Sequence, residues 1–214
     1  MPSRINPFIN GQIYHIYNRG SEKRPIFENR RDQKRFEQTM LYYQLDGPKP
    51  RFSNFFKYKL FKPDPTKKIV EIICFCLMLN HFHFILKQLK DGGITEFISK
   101  LSNSYTKYFN TKHTRIGPLF QGEFKSVLVE SDEQLLHLSR YIHLNPLVSF
   151  LVKDLDQYEW SSYREYINAT RGISSKEDVL GFFKSPDAYK QFVLDQAEYG
   201  KTLELIKHKI IEEI

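Results

Sequence analysis

The hydrophobic pattern of the first 145 residues changes between a period of two, typical of strands, and a period of three to four, typical of helices. Strands are predicted where aromatic, β-branched and other apolar residues alternate with polar ones or form short runs, at residues 12–18, 68–79, 81–88 and 122–129. Helices are predicted where apolar residues recur at helical spacing, at residues 30–45, 94–112 and 131–145. The third helix begins with a capping pair, Ser131 and Gln134, and is expected to end before Pro146.

The order of these elements is β-α-β-β-α-β and then a helix, which is the ferredoxin-like split βαβ pattern. The predicted fold class is therefore α+β, with an antiparallel sheet, helices on one face, a helix after the fourth strand and a mostly helical C-terminal extension. We expect one domain over residues 1–150 and the extension, packed on it, over residues 151–214. Segment 51–68 is basic, aromatic and long for a connection, so we interpret it as a functional loop that could include a short hairpin.

Composition narrows the class of partner. The 214 residues are 41% apolar and 15% aromatic, so the chain can bury a core. The net charge of +7 is typical of proteins that meet a polyanion.

Cys74 and Cys76 lie two residues apart on one predicted strand. An extended strand holds them too far apart for a disulfide, so we expect buried thiols in a reducing compartment. Because the N-terminus has no apolar signal core and no run is long enough to span a membrane, the expected location is the cytoplasm.

The stretch LMLNHFHFIL (77–86) places two histidines in an apolar strand. Successive side chains of a strand point to opposite faces, so His81 and His83 share one face and Phe82 and Phe84 the other. Two neighbouring imidazoles can be hydrogen-bonded residues of a packed sheet, or two ligands of one divalent metal ion. The residues alone leave both readings open.

The third predicted helix offers groups that would complete a metal site. Tyr141 and Asn145 are four residues apart, so they project from one face of that helix. If the helix packs across the histidines, Asn145 supplies an oxygen ligand and Tyr141 a hydroxyl nucleophile. Attack by tyrosine on a phosphodiester conserves the bond energy in a phosphotyrosine ester, which suits cutting and rejoining nucleic acid. Tyr105 and Tyr108 on the second helix are rival nucleophiles.

The segment His81-Phe82-His83 resembles the HUH motif, two histidines around one bulky hydrophobic residue. Four further segments resemble, in the usual order, motifs of the REP-associated branch of the single-tyrosine HUH transposases: IYHIYNRG (13–20), GPLFQGEFKS (117–126), RYIHLNP (140–146) and YEWSSYREY (158–166). The resemblance spans roughly residues 11 to 166. Two positions depart from it, because Leu79 stands where proline is common and Glu123 where a basic residue is common.

The resemblance implies a metal-dependent, site-specific endonuclease and strand transferase that acts on single-stranded DNA beside a small hairpin. It implies that Tyr141 forms a 5′-phosphotyrosine link and frees a 3′-hydroxyl. It also implies that Asn145 joins His81 and His83 in binding Mg²⁺ or Mn²⁺. The resemblance favours a monomer that acts in cis, although a site shared with a second subunit stays open.

The DNA contacts are predicted from residue chemistry, because phosphates are held by basic and amide side chains. The candidates are Asn18, Arg19, Lys112, Arg115 and Lys125. Aromatic residues of segment 51–68 could stack unpaired bases, or could cap the core. Two other functions remain open: a domesticated DNA-binding protein that no longer cuts, and a metal phosphoesterase that uses a bound water. Residues 167–214 receive no function.

Overall fold

The computed structural model describes residues 7–47, 50–58, 64–168 and 172–212. The strands of the described chain are β1 (Ile13–Arg19), β2 (Val70–Met78), β3 (His81–Gln88) and β4 (Lys125–Leu128). The α-helices are α1 (Arg30–Tyr43), α2 (Phe52–Tyr58), α3 (Gly93–Lys112), α4 (Asp132–Val148), α5 (Tyr163–Ile167), α6 (Glu177–Leu180), α7 (Pro186–Leu194) and α8 (Ala197–Glu212). None of the described helices is long and apolar enough to cross a membrane.

The sheet has the strand order β2-β3-β1-β4, with β1 antiparallel to both β3 and β4. The pairing of β1 with β3 sets Tyr17 opposite His83 and Arg19 opposite His81. This order, in which β1 and β3 are central, is that of the ferredoxin-like split βαβ unit. The predicted α+β fold class is confirmed.

Helices α1 and α3 cover one face of the sheet. Phe36 of α1 lies with its ring centroid 5.4 Å from that of Phe82, and Phe97 of α3 lies 6.1 Å from Phe84. These phenyl rings are fully buried, so the helices bury the apolar side of β3. The histidines of β3 therefore lie on the other face, as the alternation of the strand predicts.

Two element predictions need correction. The described part of segment 51–68 contains the helix α2 where a short hairpin was considered, and residues 59–63 lie outside the described part. Phe52 is buried and packs against Tyr42 of α1 with ring centroids 5.2 Å apart, so tertiary packing overrides the strand preference of aromatic residues. Helix α4 continues through Pro146 to Val148, because a proline in the last turn costs only one helical hydrogen bond.

By its internal contacts the chain divides into two compact units. The first unit comprises Met1–Ile72 and Leu79–Leu128, and the second comprises Ile73–Met78 and Val129–Ile214. Helix α4 is part of the second unit, together with the C-terminal extension. The extension is mostly helical, as predicted.

Within the second unit, the extension pairs with the outer edge of β2. The N–H of Leu77 donates to the carbonyl of Trp160 at 2.8 Å, and the N–H of Ser162 donates to the carbonyl of Phe75 at 3.0 Å. Both cysteines of the chain are free thiols in this buried strand, as expected. The motif YEWSSYREY therefore has a structural role at this sheet edge.

Candidate functional site

The first half of the predicted site is a pair of histidines on β3. The rings of His81 and His83 lie side by side, with centroids 5.0 Å apart. His83 is buried and His81 is partly exposed. The structure therefore places the two predicted metal ligands next to each other on the face of the sheet opposite Phe82.

Hydrogen bonds orient the ring of His81. Asn80 donates through Nδ2 to the carbonyl of Lys23 at 3.1 Å, so its Oδ1 is the acceptor that faces His81 Nδ1 at 2.7 Å. His81 Nδ1 then carries the proton, and Nε2 carries the lone pair. This is the arrangement in which a histidine binds a metal through Nε2.

His15 orients the second ring, although no sequence pattern predicted a role for it. Its Nε2 lies 2.9 Å from Nδ1 of His83, and the two rings stack with centroids 5.2 Å apart. When His83 Nδ1 donates this bond, Nε2 of His83 carries the lone pair. The His15 ring also contacts the ring of Tyr17, with centroids 4.9 Å apart. Alternation along β1 sets His15 and Tyr17 on one face, but the sequence does not give the register that brings them to His83.

Burial keeps these histidines neutral. Desolvation lowers the pKa of His83 well below its ordinary value, and the neighbouring His81 and His15 lower it further. Desolvation also lowers the pKa of His15 to about 4. Neutral imidazole is the form that binds a metal, so no proton has to leave before binding at pH 7.

The donor set fits a divalent cation only in part. Within the described residues, no cluster of three or more His, Cys, Asp or Glu side chains could hold a metal ion. Two oriented imidazoles leave the coordination shell open, and Mg²⁺ and Mn²⁺ prefer oxygen ligands. The pair therefore fits a metal only if further oxygen donors complete the shell.

The second half of the predicted site lies on α4, in the second unit. Tyr141 and Asn145 occupy successive turns, and Asn145 Nδ2 donates to the carbonyl of Tyr141 at 3.1 Å. That bond orients the amide so that Oδ1 is its remaining polar atom. Tyr141 is 51% exposed, whereas Asn145 is buried. The structure thus gives Tyr141 access to a large substrate and holds the Asn145 side chain in place.

The buried side of α4 is anchored by His143. Its Nδ1 lies 2.7 Å from the hydroxyl of Tyr189, and its Nε2 lies 2.8 Å from Oγ of Ser162. Desolvation lowers the pKa of His143 to about 3, so the ring is neutral. Residues two apart on a helix point to nearly opposite sides, so this anchor leaves the Tyr141 side of α4 exposed.

The rival tyrosines are engaged elsewhere. The hydroxyl of Tyr105 is buried and donates to the carbonyl of Ile26 at 2.5 Å, and burial raises the pKa of Tyr105. The hydroxyl of Tyr108 donates to Asp32 Oδ1 at 3.1 Å, and burial together with that carboxylate raises its pKa. Both hydroxyls are thus held by hydrogen bonds, and their raised pKa values make these two phenols harder to activate as nucleophiles.

Three of the five predicted DNA contacts lie at the β1–β4 side of the sheet. Arg19 and Lys125 are exposed, and Arg19 Nε donates to Oε1 of Gln121. Asn18 is buried, and its Oδ1 accepts from the backbone N–H of Arg19 at 2.8 Å. Arg19 and Lys125 are therefore placed where they can meet a phosphate, while Asn18 stabilises the end of β1.

The other two predicted contacts lie at the end of α3. Lys112 Nζ forms an ion pair with Oδ1 of the buried Asp32 at 2.5 Å. Arg115 Nη1 donates to Oδ1 of Asn110 at 3.0 Å. The ion pair gives Lys112 a structural role that the sequence does not reveal, because its partner is 80 residues away.

Comparison with known families agrees with the motifs. Residues 54–145 match the model of the IS200-like transposases. The match confirms the family resemblance over the segment that holds the histidine pair, Tyr141 and Asn145.

Among solved structures, the chain is similar to that of a REP-associated tyrosine transposase bound to a REP hairpin. The identity is 18%, the alignment covers 82% of this chain and 90% of that chain, and the TM-score is 0.47. A search of curated proteins gave no match.

Proposed function

We propose that this protein is a metal-dependent, site-specific single-stranded DNA endonuclease and strand transferase of the REP-associated tyrosine transposase kind. One observation carries the proposal. The segment that matches the transposase family contains two hydrogen-bonded histidines, and their Nδ1 contacts leave Nε2 available for a metal. Hydrogen bonds to Nδ1 also suit a packed pair, so it is the position of the pair within the matched segment that favours the metal site.

In the proposed reaction, the phenolic oxygen of Tyr141 attacks the scissile phosphorus. The O–P bond to tyrosine forms while the bond from phosphorus to the 3′-oxygen breaks, and that oxygen leaves as a 3′-hydroxyl after taking up a proton. The 5′ end stays on the protein as a phosphotyrosine ester. A 3′-hydroxyl of the same or another strand then attacks this ester and restores Tyr141, so no other energy source is needed.

His81, His83 and Asn145 are the residues proposed to hold Mg²⁺ or Mn²⁺. When bound, the ion would neutralise the non-bridging oxygens of the scissile phosphate. His15 and Asn80 keep the two imidazoles in one orientation through their bonds to Nδ1. The bond from Asn145 to the carbonyl of Tyr141 does the same for the amide.

The proposed partner is single-stranded DNA that carries a hairpin. A net charge of +7 and the exposed Arg19 and Lys125 support a phosphate-bearing ligand. The notion that Asn18, Lys112 and Arg115 also contact DNA stays a prediction.

The test is covalent capture of DNA by the full chain. A pool of labelled single strands, each with a hairpin and a randomised flank, is incubated with protein and Mn²⁺ and resolved on a denaturing gel. We expect an adduct with the wild type and with Tyr199→Phe, a control at another exposed tyrosine. We expect none with Tyr141→Phe, although its DNA affinity should be unchanged.

Three other results would contradict the proposal. Cleaved DNA without an adduct, unchanged in Tyr141→Phe, would indicate a phosphoesterase that uses water. Binding without any cleavage by the wild type would indicate a domesticated DNA-binding protein. An adduct that persists in Tyr141→Phe would assign the nucleophile to another tyrosine.

A further inference from the structure

The helical side of the first unit contains a basic cleft that the proposed reaction does not use. The cleft has a volume of about 690 Å³ and is bordered by α1, α2 and α3. Among the described residues that line it, none is acidic and six are basic: Arg31, Arg35, Arg51, Lys100, Lys107 and Lys112. Serine and threonine hydroxyls lie between these cations. Cations with hydroxyl donors are the groups that hold nucleic-acid phosphates.

Four of these cations have no carboxylate partner in the described structure. Lys112 pairs with Asp32, and Lys100 pairs with Glu96 at 2.5 Å. No such pair occurs for the remaining cations, Arg31, Arg35, Arg51 and Lys107, within the described residues. Like charges gathered in one cleft repel each other, and a polyanion would relieve that repulsion.

Aromatic rings hold the side chain of Arg35 in place in the cleft. Its guanidinium carbon lies 4.3 Å from the ring centroid of Phe52 and 5.3 Å from that of Tyr108, so aromatic rings from α2 and α3 flank it. Its Nε is buried and has no hydrogen-bond partner among the described residues. Arg35 as a whole is only partly buried, and a planar guanidinium can match two phosphate oxygens at once.

The cleft and the histidine pair lie on opposite sides of the sheet. Helices α1 and α3 cover the face that carries Phe82, while His83 lies on the other face. A helix with its side chains is about 10–12 Å across. A DNA segment in the cleft is therefore separate from the phosphate that would meet the histidines.

We propose that this cleft binds the phosphodiester backbone of DNA at a distance from the scissile phosphate, with Arg35 as its central contact. The proposal rests on the proposed function, because it assigns the cleft to the same DNA substrate. It makes DNA binding bipartite: the cleft holds flanking DNA, and the histidine face receives the strand to be cut.

The test removes charge from the exposed rim of the cleft. The triple variant Arg31→Gln/Arg51→Gln/Lys107→Gln changes exposed side chains only, so it is expected to melt like the wild type. Binding of a fluorescent hairpin-bearing oligonucleotide is measured by anisotropy at several salt concentrations without divalent metal. Each phosphate contact contributes about 0.7 to 0.9 to the slope of log affinity against log salt, so we expect the slope to fall by roughly 2 to 3.

The matched control removes three charges elsewhere. Lys34→Gln/Lys153→Gln/Lys184→Gln changes three exposed lysines that do not line the cleft, and Lys34 lies on α1 beside Arg35. We expect this variant to keep most of the wild-type slope. Arg35→Gln, measured next to it, should weaken binding about tenfold or more, on the scale of a lost charge-assisted contact.

Equal slopes and affinities for the cleft and control variants would overturn the proposal. Adduct formation at saturating DNA separates this failure from failure of the proposed function. If only the cleft assignment is wrong, wild type and cleft variant still form the phosphotyrosine adduct and bind DNA equally. If only the proposed reaction is wrong, no protein forms the adduct, yet the cleft variant still binds DNA more weakly.

Discussion

Replacing Asp32 by asparagine should strongly destabilise the protein, although the two side chains have nearly the same shape. Each carboxylate oxygen accepts from two donors: Oδ1 from Lys112 Nζ at 2.5 Å and Tyr108 at 3.1 Å, and Oδ2 from the N–H of Glu28 and Nε2 of His113, both at 3.1 Å. In Asp32→Asn one of these oxygens becomes an NH₂ group. Whichever way the amide turns, its N–H groups face two other donors.

The magnitude follows from the burial of this carboxylate. Its side chain is fully buried, and each donor left without an acceptor costs about 1–3 kcal/mol. Breaking a buried ion pair costs about 3–5 kcal/mol, but the Lys112 side chain is 24% exposed, so water recovers part of that cost. We expect the free energy of unfolding to fall by about 3 kcal/mol.

The assay is urea unfolding followed by circular dichroism, with Asp46→Asn as control. Asp46 pairs with Lys90 at 2.8 Å, but both side chains reach solvent, so its loss should cost less than about 1 kcal/mol. If Asp32→Asn is no less stable than Asp46→Asn, the cluster around Asp32 does not stabilise the fold as described.

The free energy of unfolding at acid pH provides an independent check on the role of Asp32. Burial alone would raise its pKa, but the hydrogen bonds from Lys112 and from the N–H of Glu28, together with the Lys112 charge, outweigh burial and lower it. The carboxylate therefore stabilises the fold above its unfolded pKa of about 3.9, and this contribution is lost as the pH falls through the lower folded pKa. The gap between wild type and Asp32→Asn should be constant at neutral pH and shrink below about pH 4.

Two further predictions concern packing and thiol chemistry. Gly93→Ala should lower the free energy of unfolding by about 1–3 kcal/mol, because its Cβ would lie 2.3 Å from the backbone oxygen of Ile69; an unchanged urea midpoint would refute this. Burial raises the pKa of the Cys74 and Cys76 thiols, so iodoacetamide should modify them only in urea. Rapid alkylation of the native protein would contradict that expectation.

Element order was predictable because it depends on local periodicity. The strands and helices of the ferredoxin-like unit have long, regular patterns that tertiary contacts do not override. Element limits were less predictable. Strand β4 begins at Lys125 and not at 122, because Gly122 has a φ of +66°, outside the extended region. Helix α2 escaped prediction because its aromatic residues are strand formers in isolation and become helical against α1.

The candidate site was likewise predictable only where it depends on local spacing. The adjacency of His81 and His83 follows from the strand period, and that of Tyr141 and Asn145 from the helical period. The contact of His15 with His83 depends on the register between two strands 68 residues apart, which no local pattern encodes. The motif resemblance supplied the roles of these residues; spacing alone left the packed-histidine reading open.

The pairing of the extension with β2 has a consequence for solubility. Strand β2 is a long apolar run at the edge of the sheet, and an uncovered edge of that kind is a template for pairing with other chains. Trp160 and Ser162 occupy two of its outer backbone groups, the N–H of Leu77 and the carbonyl of Phe75. The segment 158–166 thus covers this edge and prevents other chains from adding strands to the sheet. A protein shortened before residue 158 would expose the edge, and we expect it to aggregate.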